Sequence, residues 1–172
     1  QRARNRRLYL ENQTWLSPQW VLSLGAQALD ADRRSRDRFI TGGRDESFAA
    51  DYSGVSPKLG LRYLIDAHAQ LYANLSRSLE PPSFGELSGG PGITQVDKQR
   101  ADSGELGLRL NRDGVSLDLA VYRARVRGEL LSLSDGNGNP LGTVNAGRTL
   151  HQGVELGLGW TPSPQWTVSA NY

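Results

Sequence analysis

The stretch at residues 56–87, SPKLGLRYLIDAHAQLYANLSRSLEPPSFGEL, decides the fold. Over 58–66 apolar residues fall on alternate positions (Leu59, Leu61, Tyr63, Ile65) opposite Lys58, Gly60, Arg62 and Asp66, with Leu64 the one exception. Successive side chains of an extended chain point to opposite faces, so this is a strand with one greasy and one polar side. After Asp66-Ala67-His68 the alternation resumes, with Ala69, Leu71, Ala73, Leu75 and Leu79 on one face and Gln70, Tyr72, Asn74, Ser76 and Ser78 on the other. The two arms make a hairpin. Each has about 9 to 11 residues, the length a tilted strand needs to cross a bilayer. Pro81-Pro82 then end the ladder, because proline has no N–H to donate.

The same design recurs on both sides. Upstream, 8–16 is a weakly patterned strand, Ser17-Pro18-Gln19 a tight break, and 20–28 a strand with Trp20, Leu22, Leu24, Ala26 and Ala28 on one face. Downstream, 104–110 alternates Leu106, Leu108 and Leu110 against Glu105, Gly107 and Arg109, and 111–114 makes a turn. The strand at 115–127 opens with Val115, Leu117, Leu119 and Val121 on one face, but its apolar residues then move to Tyr122, Ala124 and Val126. That switch implies a bulge, or a strand leaving the membrane zone; 130–133 is a candidate extension. Asp135-Gly136-Asn137-Gly138-Asn139-Pro140 is strong turn chemistry. A last hairpin, 148–160 with 165–172, folds around Thr161-Pro162-Ser163-Pro164 and still alternates where the sequence ends, as an excised piece would. The expected fold is all-β, an antiparallel meander of about eight strands.

The connections differ in length. Those within hairpins, near 17–19, 66–68, 111–114 and 161–164, are short, and the three between hairpins are long. Outer-membrane barrels have short periplasmic turns and long extracellular loops. Trp15 and Trp20 flank the first short turn and Trp160 and Trp166 the last, where an aromatic girdle would put them. The segment 30–54 has no sustained period and reads as a loop of a length usually reserved for function or disorder, and 80–103 reads as a loop rich in Pro, Gly and Ser. Residues 1–7 carry four arginines and no acid, and read as a solvated, frayed terminus rather than a lipopolysaccharide or ligand contact.

Composition removes several function classes. The 172 residues contain no Cys, which excludes disulfides and thiolate metal sites, and the net charge of +2 does not imply a nucleic-acid partner. No apolar run approaches the ~18 residues of a transmembrane helix, and no signal peptide is visible, as expected of an internal piece of an exported chain. Mean hydropathy is −0.51, which does not speak against a membrane barrel whose strands are only half apolar. Catalysis is not expected. His68 and His151 share no evident site, and Glu105 and Glu155 sit on polar strand faces as solvated or lumen-facing carboxylates. The run 135–139 has a faint Ca²⁺-loop look but lacks the distal Glu and flanking helices, so no metal or cofactor is assigned.

Residues 56–87, with SLEPPSFGEL the most specific piece, and more loosely 105–110, 119–122 and HQGVELGL at 151–158, resemble the barrel of TonB-dependent outer-membrane receptors. The resemblance covers nearly the whole chain. It implies a plugged barrel of about 22 strands, of which residues 1–172 would be an internal part without plug domain, TonB box or final strand. It further implies a ferric siderophore or similar scarce chelate as ligand, an outer-membrane location amid lipid and lipopolysaccharide, and TonB as a partner through an upstream region. Arg33, Arg34, Arg36, Arg38 and Arg44, all in the expected 30–54 loop, are the candidate ligand contacts, since guanidinium forks suit anionic chelates; a solubilising role stays open. Two other readings also stand: a soluble sandwich or lectin-like binding module that buries the Leu faces against each other, and another outer-membrane barrel such as a porin. Cut from a larger barrel, the segment would keep two unpaired edges and self-associate.

Overall fold

In the computed structural model, which describes residues 1–40 and 43–172, the alternating segments become β1 (Arg2–Trp15), β2 (Trp20–Ser35), β3 (Phe48–Leu64), β4 (Ala69–Glu80), β5 (Gln99–Arg112), β6 (Val115–Ser134), β7 (Pro140–Ser163) and β8 (Trp166–Asn171). They form one antiparallel sheet in the order β1-β2-β3-β4-β5-β6-β7-β8. Among the described residues a single short helix, α1 (Phe84–Ser88), interrupts the meander. The eight-stranded meander is as the periodicity predicts.

Register aligns the apolar alternation of neighbouring strands into rows. Ala69, Leu110, Leu117 and Leu158 stand side by side across β4 to β7, followed by Leu71, Leu108, Leu119 and Leu156, then Ala73, Leu106, Val121 and Val154. The band continues through Tyr63, Leu61 and Leu59 on β3 and Trp20, Leu22 and Leu24 on β2. From Val115 to Val121 it spans ~20 Å along the strand at 3.3 Å per residue, close to the ~25 Å of the apolar zone of an outer-membrane barrel. This face is bare. Leu75, Leu106 and Val154 are 60%, 55% and 50% exposed, and the described residues supply no second sheet to cover them, so the sandwich alternative falls.

The opposite, inner face is crowded. In β2 to β6 it carries the buried strand residues Val21, Leu29, Ala31, Tyr52, Tyr72, Ala120 and Val126. Tyr72 lies flat across its partner Gly107, and a Cβ there would run into the ring. Tyr122 covers its partner Gly153 in the same way. Gly107, although on the polar face, is therefore closed to a side chain.

Strand ends lie further out than the apolar pattern indicates. Residues 2–7 are not frayed: they pair with 29–34, and Arg6 meets Asp30 across the ladder at 3.5 Å. Most of 30–54 is strand too, leaving a connection at 36–47. The third long connection shrinks to 135–139, because β6 and β7 run on as one hairpin with 20 and 24 residues in its arms. In β1 to β3 the outward residues of these stretches are polar (Arg2, Arg4, Arg6, Asp30, Asp32, Asp51), so the alternation that marks a membrane-facing strand is lost while backbone pairing continues; the far ends of β6 and β7 instead expose Leu131, Leu133 and Val144. No bulge breaks the register at 121–122; polar residues simply take over the outward positions, and the one irregularity of this pair is between Leu133 and Ser134.

Turn chemistry agrees with sequence. Asp113 and Gly114 both take positive φ, 51° and 77°, as a two-residue hairpin turn of the type favoured by strand twist requires. At 135–139 the Asp135 carboxylate accepts from Asn137 N (2.9 Å), Asn139 N (2.8 Å) and Asn139 Nδ2 (2.8 Å), so its oxygens close the turn.

Candidate functional site

The two ends of the sheet differ. At one end the connections are tight and aromatic: Trp20 packs on Tyr63 with centroids 4.8 Å apart, and Trp15, Trp160 and Trp166 are exposed near the same turns. At the other end, the connections 36–47 and 81–98 come together.

The 81–98 connection starts with α1, whose ends are chemically defined. Ser83 caps it, its Oγ accepting from Glu86 N at 3.3 Å, while the Glu86 carboxylate accepts from Ser83 N at 2.7 Å. This S-x-x-E box was readable in sequence and satisfies two helix-end donors reciprocally. Beyond it the connection is pinned across the inner face. Tyr52 on β3 donates its hydroxyl to Val96 O at 3.0 Å. Asn145 on β7 accepts from Asp97 N at 2.7 Å and donates to Asp97 O and Gly128 O at 2.9 and 2.8 Å. Gly90 comes so close to the backbone of Gly142 that a Cβ would sit 2.7 Å away. The connection thus bridges strands β3 and β7 and folds over the loop end of the sheet.

Arg33 does the same at the other side, and here the structure corrects the sequence. Arg33 is not on the loop; it lies on β2, only 6% exposed, with Nε donating to Pro82 O at 3.0 Å and Nη1 to Asn5 Oδ1 at 2.8 Å and Asp32 O at 3.0 Å. Its guanidinium is consumed in anchoring the 81–98 connection. Arg34 is also a strand residue, pointing to the other side and loosely paired with Asp32 and Asp51 at 3.9 and 4.0 Å.

The remaining three arginines come together. Arg36, Arg38 and Arg44 line an open cleft of about 930 Å³ with Asp37, Phe39, Glu46, Phe48 and Ile93. Asp37 fixes the shape of its wall: its carboxylate accepts from Phe39 N at 2.9 Å and Glu46 N at 3.3 Å, and its own N–H donates to Ser47 Oγ at 2.9 Å. Arg44 lies against Gly92, linking the two connections, with its Nε 3.8 Å from Glu46 Oε1. Hydrogen bonds from the Ser47 hydroxyl and backbone, aided by Arg36, hold the Asp45 carboxyl below the usual carboxylate range. The cleft offers guanidinium forks beside phenyl rings, a lining suited to a planar anionic oxygen ligand with aromatic parts.

Below the cleft the inner face is polar and networked. Lys58 on β3 pairs with Glu11 on β1. Arg109 on β5 donates to Asp118 Oδ2 at 2.9 Å and stacks its guanidinium 4.9 Å from the Tyr72 ring centroid. The alternation puts these residues on the polar face without pairing them, since cross-strand register is not visible in one strand.

A sheet with a bare apolar band, aromatic residues at its short-turn end and loops folded over the other is a segment of a transmembrane β-barrel. The chain belongs to the TonB-dependent receptor family: the model for the TonB dependent receptor-like β-barrel matches residues 1–172, which places it in the bacterial outer membrane. Members of that family are receptors rather than enzymes. The fold is similar to that of the copper transporter OprC (TM-score 0.83, 17% identity, 97% of this chain and 28% of that one). It is also similar to the ferric yersiniabactin uptake receptor FyuA from Yersinia pestis (0.75, 17%, 98% and 26%), and to the siderophore receptor PiuA from Acinetobacter baumannii (0.74, 18%, 98% and 24%). The chain spans about a quarter of the length of these proteins. No curated protein sequence matches it.

Proposed function

We propose that residues 1–172 form part of a larger receptor barrel that captures a ferric siderophore or a similar scarce chelate and imports it with energy delivered through TonB. The cleft of Arg36, Arg38 and Arg44 beside Phe39 and Phe48 carries this reading, because it gathers permanently charged forks and aromatic surface where the connections meet at the end away from the short turns. Arg33 and Arg34 contribute differently, the first by holding the 81–98 connection over the lumen and the second from the outer surface. In the parent receptor the remaining strands close the barrel; alone, β1 and β8 keep one unpaired edge each and recruit a second copy of the chain.

The test replaces Arg36, Arg38 and Arg44 together by Gln in the full-length receptor. Iron-starved cells are then given radioactive iron equilibrated with medium conditioned by the source bacterium, with radioactive copper as a parallel cargo. The proposal expects iron uptake to fall while heat-modifiable migration reports an assembled barrel. Unchanged iron uptake returns the three arginines to a solubilising role, and uptake of copper alone moves the cargo to another metal.

A further inference from the structure

Residues 88–97, SGGPGITQVD, form the part of the 81–98 connection that reaches the cleft. Ser88 and Ile93 belong to the cleft lining, which they share with Arg36, Arg38 and Arg44. The glycines of this run make close approaches to two different partners. Gly90 sits on the β7 backbone, where a Cβ would stand 2.7 Å from the Cα and N of Gly142. Gly92, just past Pro91, takes the Arg44 guanidinium across its bare Cα, and a Cβ there would run into Nη2. One short run therefore touches both the far end of β7 and a cleft arginine.

The run is pinned from two strands. At its near end, Thr94 N to Leu87 O at 2.9 Å and Ser88 Oγ to Phe84 O at 2.8 Å tie it to α1. At its far end, Tyr52 on β3 donates to Val96 O, and the Asn145 amide on β7 is used in full: Oδ1 accepts from Asp97 N while the Nδ2 hydrogens go to Asp97 O and Gly128 O. A carboxylate has no hydrogens to give, so the amide is required. Gly142 takes φ 107°, a conformation that a side chain resists, and this is the backbone on which Gly90 rests.

We propose that Tyr52 and Asn145 are positioning residues of the cleft: they fix the 88–97 run, and with it the seat of Arg44 on Gly92, at the distance from Arg36 and Arg38 that suits the bound anion. This assignment rests on the cleft reading above and specifies what sets the cleft's dimensions. Three guanidiniums on a single connection repel one another and spread apart. Seating one of them on a segment held by β3 and β7 keeps all three within reach of one ligand, so less ordering is left to the binding step.

Two readouts on the full-length receptor test this. In the empty receptor, spin labels on Val55→Cys in β3 and Gln95→Cys in the run, both exposed positions, give the distribution of distances between strand and run by electron paramagnetic resonance. It should be narrow with the native residues at 52 and 145 and broad in Tyr52→Phe with Asn145→Ala; an unchanged distribution would overturn the assignment. Uptake is then measured with limiting radioactive iron equilibrated with medium conditioned by the source bacterium, heat-modifiable migration reporting assembly. Arg44→Gln deletes one charge-assisted contact and should lower uptake roughly tenfold. The Tyr52 and Asn145 pair should lower it as much and add nothing on top of Arg44→Gln, while keeping its full effect in an Arg36→Gln background.

A merely structural role would cost the same in both backgrounds, and that result, or uptake indifferent to the pair, overturns the assignment. Where the pair does not assemble, Gly92→Ala decides, because it displaces only the flexible end of Arg44 and leaves the strands alone. It should show the same dependence on Arg44, and an equal cost with and without Arg44 counts against the assignment. An unchanged distribution beside a triple arginine variant that lowers uptake sinks the assignment alone. A triple variant with unchanged uptake sinks the cleft reading, and the assignment with it.

Discussion

Tyr72 lies across Gly107, its partner on the next strand, so closely that any side chain on the glycine would enter the ring. The contact replaces a missing side chain by an aromatic face and locks the Tyr72 ring under the Arg109 guanidinium. Aromatic cover of a strand glycine also helps pin register in a curved sheet. We expect Gly107→Ala to destabilise the assembled barrel by ~1–3 kcal/mol, the usual cost of overpacking. Denaturant unfolding of the full-length receptor in lipid vesicles measures it. The double change Gly107→Ala with Tyr72→Ala should recover part of the loss, and an additive double change would show that the ring and the glycine are independent.

The bare face makes a second prediction. Leu108 stands in the middle row of the apolar band, so Leu108→Arg should cost ~2–4 kcal/mol in a lipid-folding assay. Asn74 points to the inner face, is exposed, and lies beside Glu105. Asn74→Arg should be tolerated, and similar costs at the two positions would contradict the assignment of faces.

Arg33 is expected to act through the 81–98 connection. Arg33→Ala leaves the buried carbonyl of Pro82 without its donor, a loss of ~1–3 kcal/mol for an unsatisfied polar group. Hydrogen exchange should accelerate across 81–98 while amides of β4 and β5 stay protected. Uniform acceleration through the sheet would give Arg33 a general role in the barrel instead.

At the short-turn end, Asp66 closes the β3–β4 connection. It accepts from His68 N at 2.7 Å and Ala69 N at 2.9 Å, and from Arg112 Nη2 at 2.7 Å. The His68 amide, followed by the charge of Arg112, holds its carboxyl below the ordinary range. A carboxyl depressed in the folded state contributes stability that is complete above its unfolded value and is lost as pH falls through the folded one. A carbon-detected NMR titration should therefore place Asp66 below a model Asp. Arg112→Gln should raise it; no movement would leave the backbone amides as its sole cause.

Much of this molecule was legible because a membrane strand carries its own label. Leu59, Leu61, Leu106, Leu108, Leu156 and Leu158 alternate with polar residues, and that alone yields strands, faces and short turns. Where the strands leave the apolar zone the label ends, which is why Arg2 to Arg7 and Asp30 to Ser35 gave no sign of their pairing, whereas the apolar residues at 130–133 did mark the extension of β6. The cleft was half readable. Arg36, Arg38 and Arg44 lie on a true loop, but Arg33, three residues earlier, is buried by partners 28 and 49 residues away in sequence. The pairing of β1 with β2 brings Asn5 beside Arg33 and the fold of the 81–98 connection brings Pro82 there, and a linear pattern contains neither.

The orientation of β6 in the bilayer tests the membrane-facing assignment most directly. The chain has no native cysteine, so single spin labels can be placed at each position from 115 to 127 in a full-length receptor whose other cysteines, if any, are removed. In bilayers, oxygen accessibility should alternate with period two, high at 115, 117, 119 and 121 and low at the even positions between. From 123 onward the odd positions should become less accessible to oxygen and more accessible to a water-soluble nickel reagent. Loss of the alternation, or high oxygen accessibility continuing at 123, 125 and 127, would contradict the membrane-facing band and its end at Val121, beyond which Arg123, Arg125 and Arg127 take the outward positions.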